Sequence, residues 1–257
     1  MVKTDQPFKV SVPKDKCSQQ GEEIFIVNYK GEERHIRAHD YHEIYAIPNL
    51  YEYLFYDNYK CCSPDVICSL LDKTVTKSGS DTSDLTVLDV GAGNGMVGEK
   101  LNEIGVNTVL GIDIIQEAAE AAERDRPGIY EDYYIEDLTQ LPQSVCQEIE
   151  NHNPNCMTIV AALGFDDIPP LAFANAFNMI SSPGWIAFNI KDEFCSSKDC
   201  TGFSKLIDNM TKSSILDVKV KERYQHRLCQ DGTPLNYFAI VGQKKEDLTE
   251  KMLSSFS

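Results

Sequence analysis

The chain has 257 residues, of which 42% are hydrophobic and 25% are charged, and this ordinary globular composition excludes bulk disorder and collagen-like repeats. Its 24 lysines and arginines against 40 aspartates and glutamates give a formal net charge of −16. A surface of that sign repels phosphate backbones and anionic headgroups, so we expect neither a nucleic-acid partner nor a membrane surface. No apolar run reaches bilayer length and the N-terminus lacks a signal peptide, so we expect a cytoplasmic protein with a small-molecule partner.

The cysteines and histidines indicate neither a metal site nor a disulfide framework. The nine cysteines are odd in number and no two have C-x-x-C spacing, which favours buried or incidental thiols. His35, His39 and His42 have helical spacing, but Ile36 and Ala38 between them indicate a strand. We therefore predict no metal ligands.

Residues 1–62 are predicted to form an extension before the main domain. Residues 1–21 are polar, and we expect a loosely held arm there. The runs 23–29 and 34–38 predict a β-hairpin around a polar turn. The extension therefore begins with a small β structure.

Six of the chain's twelve tyrosines fall between Tyr41 and Tyr59, in a stretch that favours helix with a break at Pro48 and Asn49 as a helix cap. Tyrosine suits the wall of a ligand pocket because it combines an aromatic ring with a polar tip. Since this stretch precedes the first helix of the main domain, it can fold back over the edge of the sheet. We predict that this stretch forms a lid over the molecule on which the protein acts. The alternative is that it simply packs against the core.

From Ser63 onward, strands and helices alternate. Ser63 is predicted to cap a helix that has Pro64 at its first position. Near-continuous apolar strands that alternate with helices predict an α/β fold, with a doubly wound, seven-stranded, mostly parallel sheet, an antiparallel C-terminal strand pair and the N-terminal extension. Strands are predicted at residues 85–90, 108–112, 133–135, 157–163, 185–190, 215–224 and 235–242, within a domain of residues 63–245 that is followed by a tail of residues 246–257.

The sharpest motif is the strand that ends in a glycine loop, from Val87 to Gly95, with the pattern D-x-G-x-G-x-G. Glycines let the backbone approach a ligand closely, and the helix that follows offers unpaired N–H groups at its N-terminus. A dinucleotide-binding fingerprint needs a glycine where Met96 stands and has no use for the carboxylate of Asp89. That carboxylate instead suits a cationic amino group.

This motif resembles the first motif of class I S-adenosylmethionine-dependent methyltransferases, and the resemblance covers about residues 63–245. It implies S-adenosylmethionine as the cofactor, with Asp113 accepting hydrogen bonds from the ribose hydroxyls. At the third strand, the resemblance implies an acid that accepts from the adenine amino group, and we prefer Asp137 to Glu136. The cofactor-binding residues that the resemblance implies are Asp89, Gly91, Ala92, Gly93, Asn94, Gly95, Asp113, Ile114, Glu136, Asp137, Leu138 and Ala161.

The resemblance implies in-line transfer of a methyl group from a sulfonium to a nucleophile on a small-molecule acceptor. A hydroxyl or ammonium acceptor needs a base, whereas a thioether, a tertiary amine or an ionised carboxylate does not. The candidates for catalysis by sequence position are Asp166, Asp167, His42 and Tyr45. A cofactor-binding protein with a regulatory, non-catalytic role is the alternative, followed by a nicotinamide-dependent oxidoreductase.

Overall fold

The computed structural model describes residues 6–13, 21–163, 167–195, 199 and 201–253. Within these ranges ten strands form two sheets, one of three strands and one of seven. No helix in the described ranges combines the length and the apolar character needed to cross a bilayer.

The small sheet consists of β1 (Phe8–Ser11), β2 (Ile24–Tyr29) and β3 (Glu32–Arg37), each antiparallel to its neighbour. The predicted hairpin is therefore confirmed. The prediction of a loosely held arm over residues 1–21 is wrong where the structure describes it, because β1 pairs along β2 and buries Phe8.

A helical segment follows the small sheet and covers it. It contains α1 (Tyr41–Ala46), α2 (Leu50–Glu52) and a π-helical turn at Tyr53–Asn58. These elements bury a separate apolar cluster against the sheet, so the extension has its own core. Asn49 is the N-cap residue of α2, as predicted, although its backbone is left-handed and its side chain makes no capping bond.

The large sheet carries the main domain, and helices cover both of its faces in two apolar clusters. Its strands are β4 (Thr86–Val90), β5 (Thr108–Asp113), β6 (Asp132–Ile135), β7 (Cys156–Ile159), β8 (Gly184–Lys191), β9 (Leu216–Leu228) and β10 (Pro234–Lys244). The helices are α3 (Ser63–Lys77), α4 (Met96–Glu103), α5 (Gln116–Asp125), α6 (Gln143–Asn151), α7 (Pro170–Met179), α8 (Phe203–Lys212) and α9 (Glu250–Leu253).

The strand order is β6-β5-β4-β7-β8-β10-β9, with β10 antiparallel to both of its neighbours and the other pairs parallel. This confirms the predicted doubly wound sheet with its antiparallel C-terminal pair. Strands β5 and β7 lie on opposite sides of β4. The direction of the strand order therefore reverses at β4, and a crevice opens there at the carboxyl ends of the strands.

The start of α3 differs from the prediction. Cys62, not Ser63, is the N-cap residue, and Ser63 is the first residue of the helix. The Ser63 hydroxyl lies 2.6 Å from Nδ1 of His226 on β9, and this buried contact replaces the expected cap. Pro64 stands in the first turn, as predicted.

Candidate active site

A cavity of about 350 Å³ lies at the carboxyl ends of β4, β5, β6 and β7. This is the place where open α/β sheets bind their ligands. The cavity-lining residues include these from the predicted cofactor set: Gly91, Asp113, Ile114, Glu136, Asp137, Leu138 and Ala161.

Asp113 ends β5 at the edge of the cavity. Its carboxylate accepts hydrogen bonds from the backbone N–H groups of Gly93 and Ile115, both at 3.0 Å. Burial raises the pKa of Asp113 above its ordinary value. The side chain therefore fixes the glycine loop to the next strand, besides presenting a carboxylate to the cavity.

Asp89 lies behind the cavity rather than in its wall. It is 1% exposed, and its two carboxylate oxygens accept from the Thr158 hydroxyl at 2.7 Å and the Tyr130 hydroxyl at 2.8 Å. Burial raises the pKa of Asp89 to about 7. Because Tyr130 and Thr158 occupy both oxygens, a direct bond from Asp89 to the amino group of a cofactor stays a prediction.

The rest of the glycine loop also lies behind the cavity wall: Ala92, Gly93, Asn94 and Gly95 are not lining residues. Gly93 has a φ of 54°, and a Cβ built on it would lie 2.5 Å from the Tyr45 hydroxyl. Glycine is favoured here because the backbone is left-handed and a side chain would force the Tyr45 hydroxyl to move.

Three tyrosines of the extension, Tyr41, Tyr45 and Tyr51, line the cavity. The Tyr45 ring centroid lies 4.8 Å from that of Tyr51 and 6.1 Å from that of Tyr41. The predicted lid segment therefore contributes three side chains to the cavity wall, and its role as a lid stays a prediction. Burial raises the pKa of Tyr45 well above its ordinary value, so Tyr45 keeps its proton at neutral pH. Tyr45 lines the cavity, and its role in catalysis stays a prediction.

Polar contacts fasten the extension to the main domain. Glu52 accepts hydrogen bonds from Arg126 Nη1 at 2.7 Å and from Asn94 Nδ2 at 3.1 Å. Arg124 Nη1 donates to the Tyr45 carbonyl at 3.1 Å. These bonds join the helical segment to the glycine loop and to the C-terminal end of α5.

A second pocket of about 30 Å³ adjoins the cavity and shares Tyr41, Tyr51, Ala161 and Asp167 with it. At this shared wall Nδ1 of His39 lies 3.1 Å from Oδ2 of Asp167. The structure thus places the predicted catalytic Asp167 between the two spaces. It adds His39, whose contact with Asp167 spans 128 residues and leaves no signal in the sequence.

The other catalytic candidates have different outcomes. His42 is exposed and lines neither space, so its role in catalysis stays a prediction, whereas His39 lines the second pocket. Asp166 lies outside the described residues. Within the described ranges, no group of three histidine, cysteine or acidic residues has an arrangement that could hold a metal ion.

A buried polar network supports the shared wall at Ala161. Ala161 has a φ of 60°, and its N–H donates to Oδ1 of Asn189 at 2.6 Å. Nδ2 of Asn189 donates to the Tyr224 hydroxyl at 2.7 Å and to the Ser63 hydroxyl at 3.0 Å. His226 completes the network through Ser63, and burial lowers its pKa to about 3, so its imidazole is neutral.

No protein-family model and no curated protein matches this chain. Solved structures do. A S-adenosylmethionine-dependent methyltransferase from Anabaena variabilis is 13% identical, with a TM-score of 0.51, and the match covers 69% of this chain and 84% of that one. A protein from Pyrococcus horikoshii, provisionally named an RNA methyltransferase, is 14% identical, with a TM-score of 0.50 and coverage of 71% and 83%. The chain has the class I methyltransferase fold.

Proposed function

We propose that this protein is a S-adenosylmethionine-dependent methyltransferase that acts on a small-molecule acceptor. The charge of the large cavity carries the proposal. Its described lining residues include four carboxylates, on Asp113, Glu136, Asp137 and Asp167, and no lysine, arginine or histidine. S-adenosylmethionine brings a positive sulfonium and a positive amino group, whereas nicotinamide cofactors bring an anionic pyrophosphate, which this wall would repel.

The residues at the cavity fit this cofactor. Ile114 is 62% exposed, although it is large and apolar, and it offers an apolar surface for a flat adenine ring beside Asp113. Asp113 would hold the ribose hydroxyls, Asp137 the adenine amino group, and the backbone at Ala161 the methionine part. The bound cofactor supplies a methyl group on a positively charged sulfur.

The chain's own residues then have three tasks. Tyr41, Tyr45 and Tyr51 cover the cavity and exclude water from the displacement. The cavity and the second pocket meet at Asp167, which orients the acceptor toward the cofactor. The leaving thioether is neutral and needs no acid, so proton transfer concerns the acceptor alone, through the contact between His39 and Asp167.

The size of the second pocket supports a small acceptor. It is much smaller than the large cavity and lies under the helical segment. The formal net charge of −16 adds to this, because it opposes a polyanionic substrate.

Thermal unfolding with added ligands tests the proposal. Either S-adenosylmethionine or S-adenosylhomocysteine at 100 times its dissociation constant should stabilise the protein by about 2.7 kcal/mol, because it binds only the folded state. NAD and NADH are the matched controls and should leave the unfolding temperature unchanged. Stabilisation by a nicotinamide cofactor without any by the sulfonium would contradict the proposal.

A further inference from the structure

The second pocket has no unpaired lysine or arginine among its described lining residues that could bind an acidic acceptor. Arg227 is the only lysine or arginine among its described lining residues. The Arg227 guanidinium donates to both carboxylate oxygens of Glu23, at 2.8 and 2.7 Å, in a pair whose side chains are 4% and 0% exposed. An acidic acceptor would have to compete with Glu23 for Arg227, and the buried negative charge of Glu23 would then have no partner.

Two other titratable groups of the pocket, His226 and Cys61, add no positive charge. Burial keeps the His226 imidazole neutral by lowering its pKa to about 3, and it raises the pKa of the Cys61 thiol to about 11. Asp167 is the pocket's one carboxylate among the described residues. The rings of Tyr41 and Tyr51 stand on the same shared wall, and aromatic rings attract cations through their electron-rich faces.

We propose, on the basis of the proposed methyltransferase function, that the acceptor is a small aliphatic amine. It binds as an ammonium ion between Asp167 and the rings of Tyr41 and Tyr51, and the His39–Asp167 pair takes its proton. The pocket is much smaller than the adjoining cavity, which favours a compact acceptor. An ammonium also loses its proton far more readily than an aliphatic hydroxyl, since its pKa is about 10.4.

The ammonium nitrogen gives one proton to the His39–Asp167 pair, which carries one proton more after the step than before it. The freed lone pair forms the new bond from nitrogen to the methyl carbon. The bond from sulfur to that carbon breaks, and its electron pair stays on sulfur as a neutral thioether. The pair releases its extra proton to water when the product leaves.

The first test measures binding with a matched trio of propylamine, propanol and propanoate. Each is titrated calorimetrically at pH 7.5 into the protein loaded with S-adenosylhomocysteine. Propylamine should bind at least tenfold more tightly than either of the other two. Equal binding of the trio, tighter binding of propanoate or no binding of propylamine would overturn the proposal. Failure of S-adenosylhomocysteine to bind at the loading step would instead contradict the proposed function.

Two variants test whether Asp167 causes the preference for propylamine. Asp167→Asn should remove the preference for propylamine. Asp208→Asn removes the same formal charge from an exposed site on α8 and should keep the preference. If both variants behave alike, the preference comes from the overall charge and the assignment to Asp167 is overturned.

The role of the pair in proton transfer is tested by turnover. Release of S-adenosylhomocysteine is followed with propylamine as acceptor, and His39→Ala should lower the rate by about a hundredfold or more, the usual contribution of a general base. Circular dichroism and S-adenosylhomocysteine affinity check that the variant is folded. A loss below threefold in the folded variant, or no methylation of propylamine by the unaltered protein, would overturn the proposal.

Discussion

Asp89 and Asp113 are two carboxylates of the site that differ in position and in hydrogen-bond partners. Asp113 lies at the cavity edge and accepts backbone N–H groups, whereas Asp89 lies below it and accepts two side-chain hydroxyls. The first is placed to meet a ligand. The second holds Tyr130 and Thr158 together behind the glycine loop, and this role is visible only in the structure.

The raised pKa of Asp89 predicts that the stability of the protein depends on pH. Because burial raises it from 3.8 to about 7, the folded state keeps this proton between about pH 4 and 7 while the unfolded chain has lost it. The contribution of Asp89 to the free energy of unfolding should therefore fall as the pH rises through this window. It should be constant above the window.

Urea unfolding from pH 4 to 8 checks this. The stability of the unaltered protein minus that of Asp89→Asn should decrease between pH 4 and 7, because the amide does not titrate. The corresponding difference for Asp208→Asn, at an exposed site, should change much less. A constant difference for Asp89→Asn would contradict the raised pKa.

Some site residues could be predicted from the sequence and others could not. Gly91, Asp113 and Asp137 lie at a strand end or within two residues of one, so a linear motif places them at the sheet edge. His39 follows the small hairpin and meets Asp167 only because the extension folds back over the domain. No local pattern encodes such a long-range contact.

At the scale of secondary-structure elements, the next prediction concerns the opening of the helical segment over the cavity. Glu52 links it to Arg126 and Asn94, and Arg126 is largely buried. Glu52→Gln should favour an open segment by about 1 kcal/mol, or roughly fivefold, because a partly exposed charged hydrogen bond is weakened. Limited proteolysis between Tyr41 and Tyr59 should accelerate accordingly, and S-adenosylmethionine should slow cleavage of the unaltered protein.

Glu33→Gln is the control for this experiment, because Glu33 is exposed on β3 and its one ion pair, with His35, is exposed as well. Its cleavage rate should match that of the unaltered protein. Equal rates for all three proteins, unaffected by cofactor, would show that the segment does not open and would refute its role as a lid.

The element predictions missed four described elements, β1, α6, α8 and α9, for different physical reasons. Helix α9 has only four residues, and none of them is buried. β1 is short and buries little besides Phe8, and α6 buries only Ile149, so neither carries a clear periodic pattern. Helix α8 buries Phe203, Leu206, Ile207 and Met210, a stripe at helical spacing. It was predictable from the sequence, although our prediction omits it.

At the scale of the whole molecule, the charge of −16 predicts that nucleic acid is not the substrate. Phosphate contacts by lysine and arginine supply most non-specific affinity for nucleic acid. A gel-shift titration with single- and double-stranded RNA and DNA at 50 mM salt should show no complex at micromolar protein. Submicromolar binding that weakens with added salt would contradict this prediction.

The central claim is that the cavity under the three tyrosines binds S-adenosylmethionine through Asp113. Isothermal titration calorimetry with S-adenosylhomocysteine tests it most directly, in the unaltered protein and in the Asp113→Ala and Asp208→Ala variants. We expect one site per chain, a loss of about 1–3 kcal/mol in binding free energy for Asp113→Ala and no change for Asp208→Ala. Absence of binding to the unaltered protein, or equal affinity in Asp113→Ala, would contradict the claim.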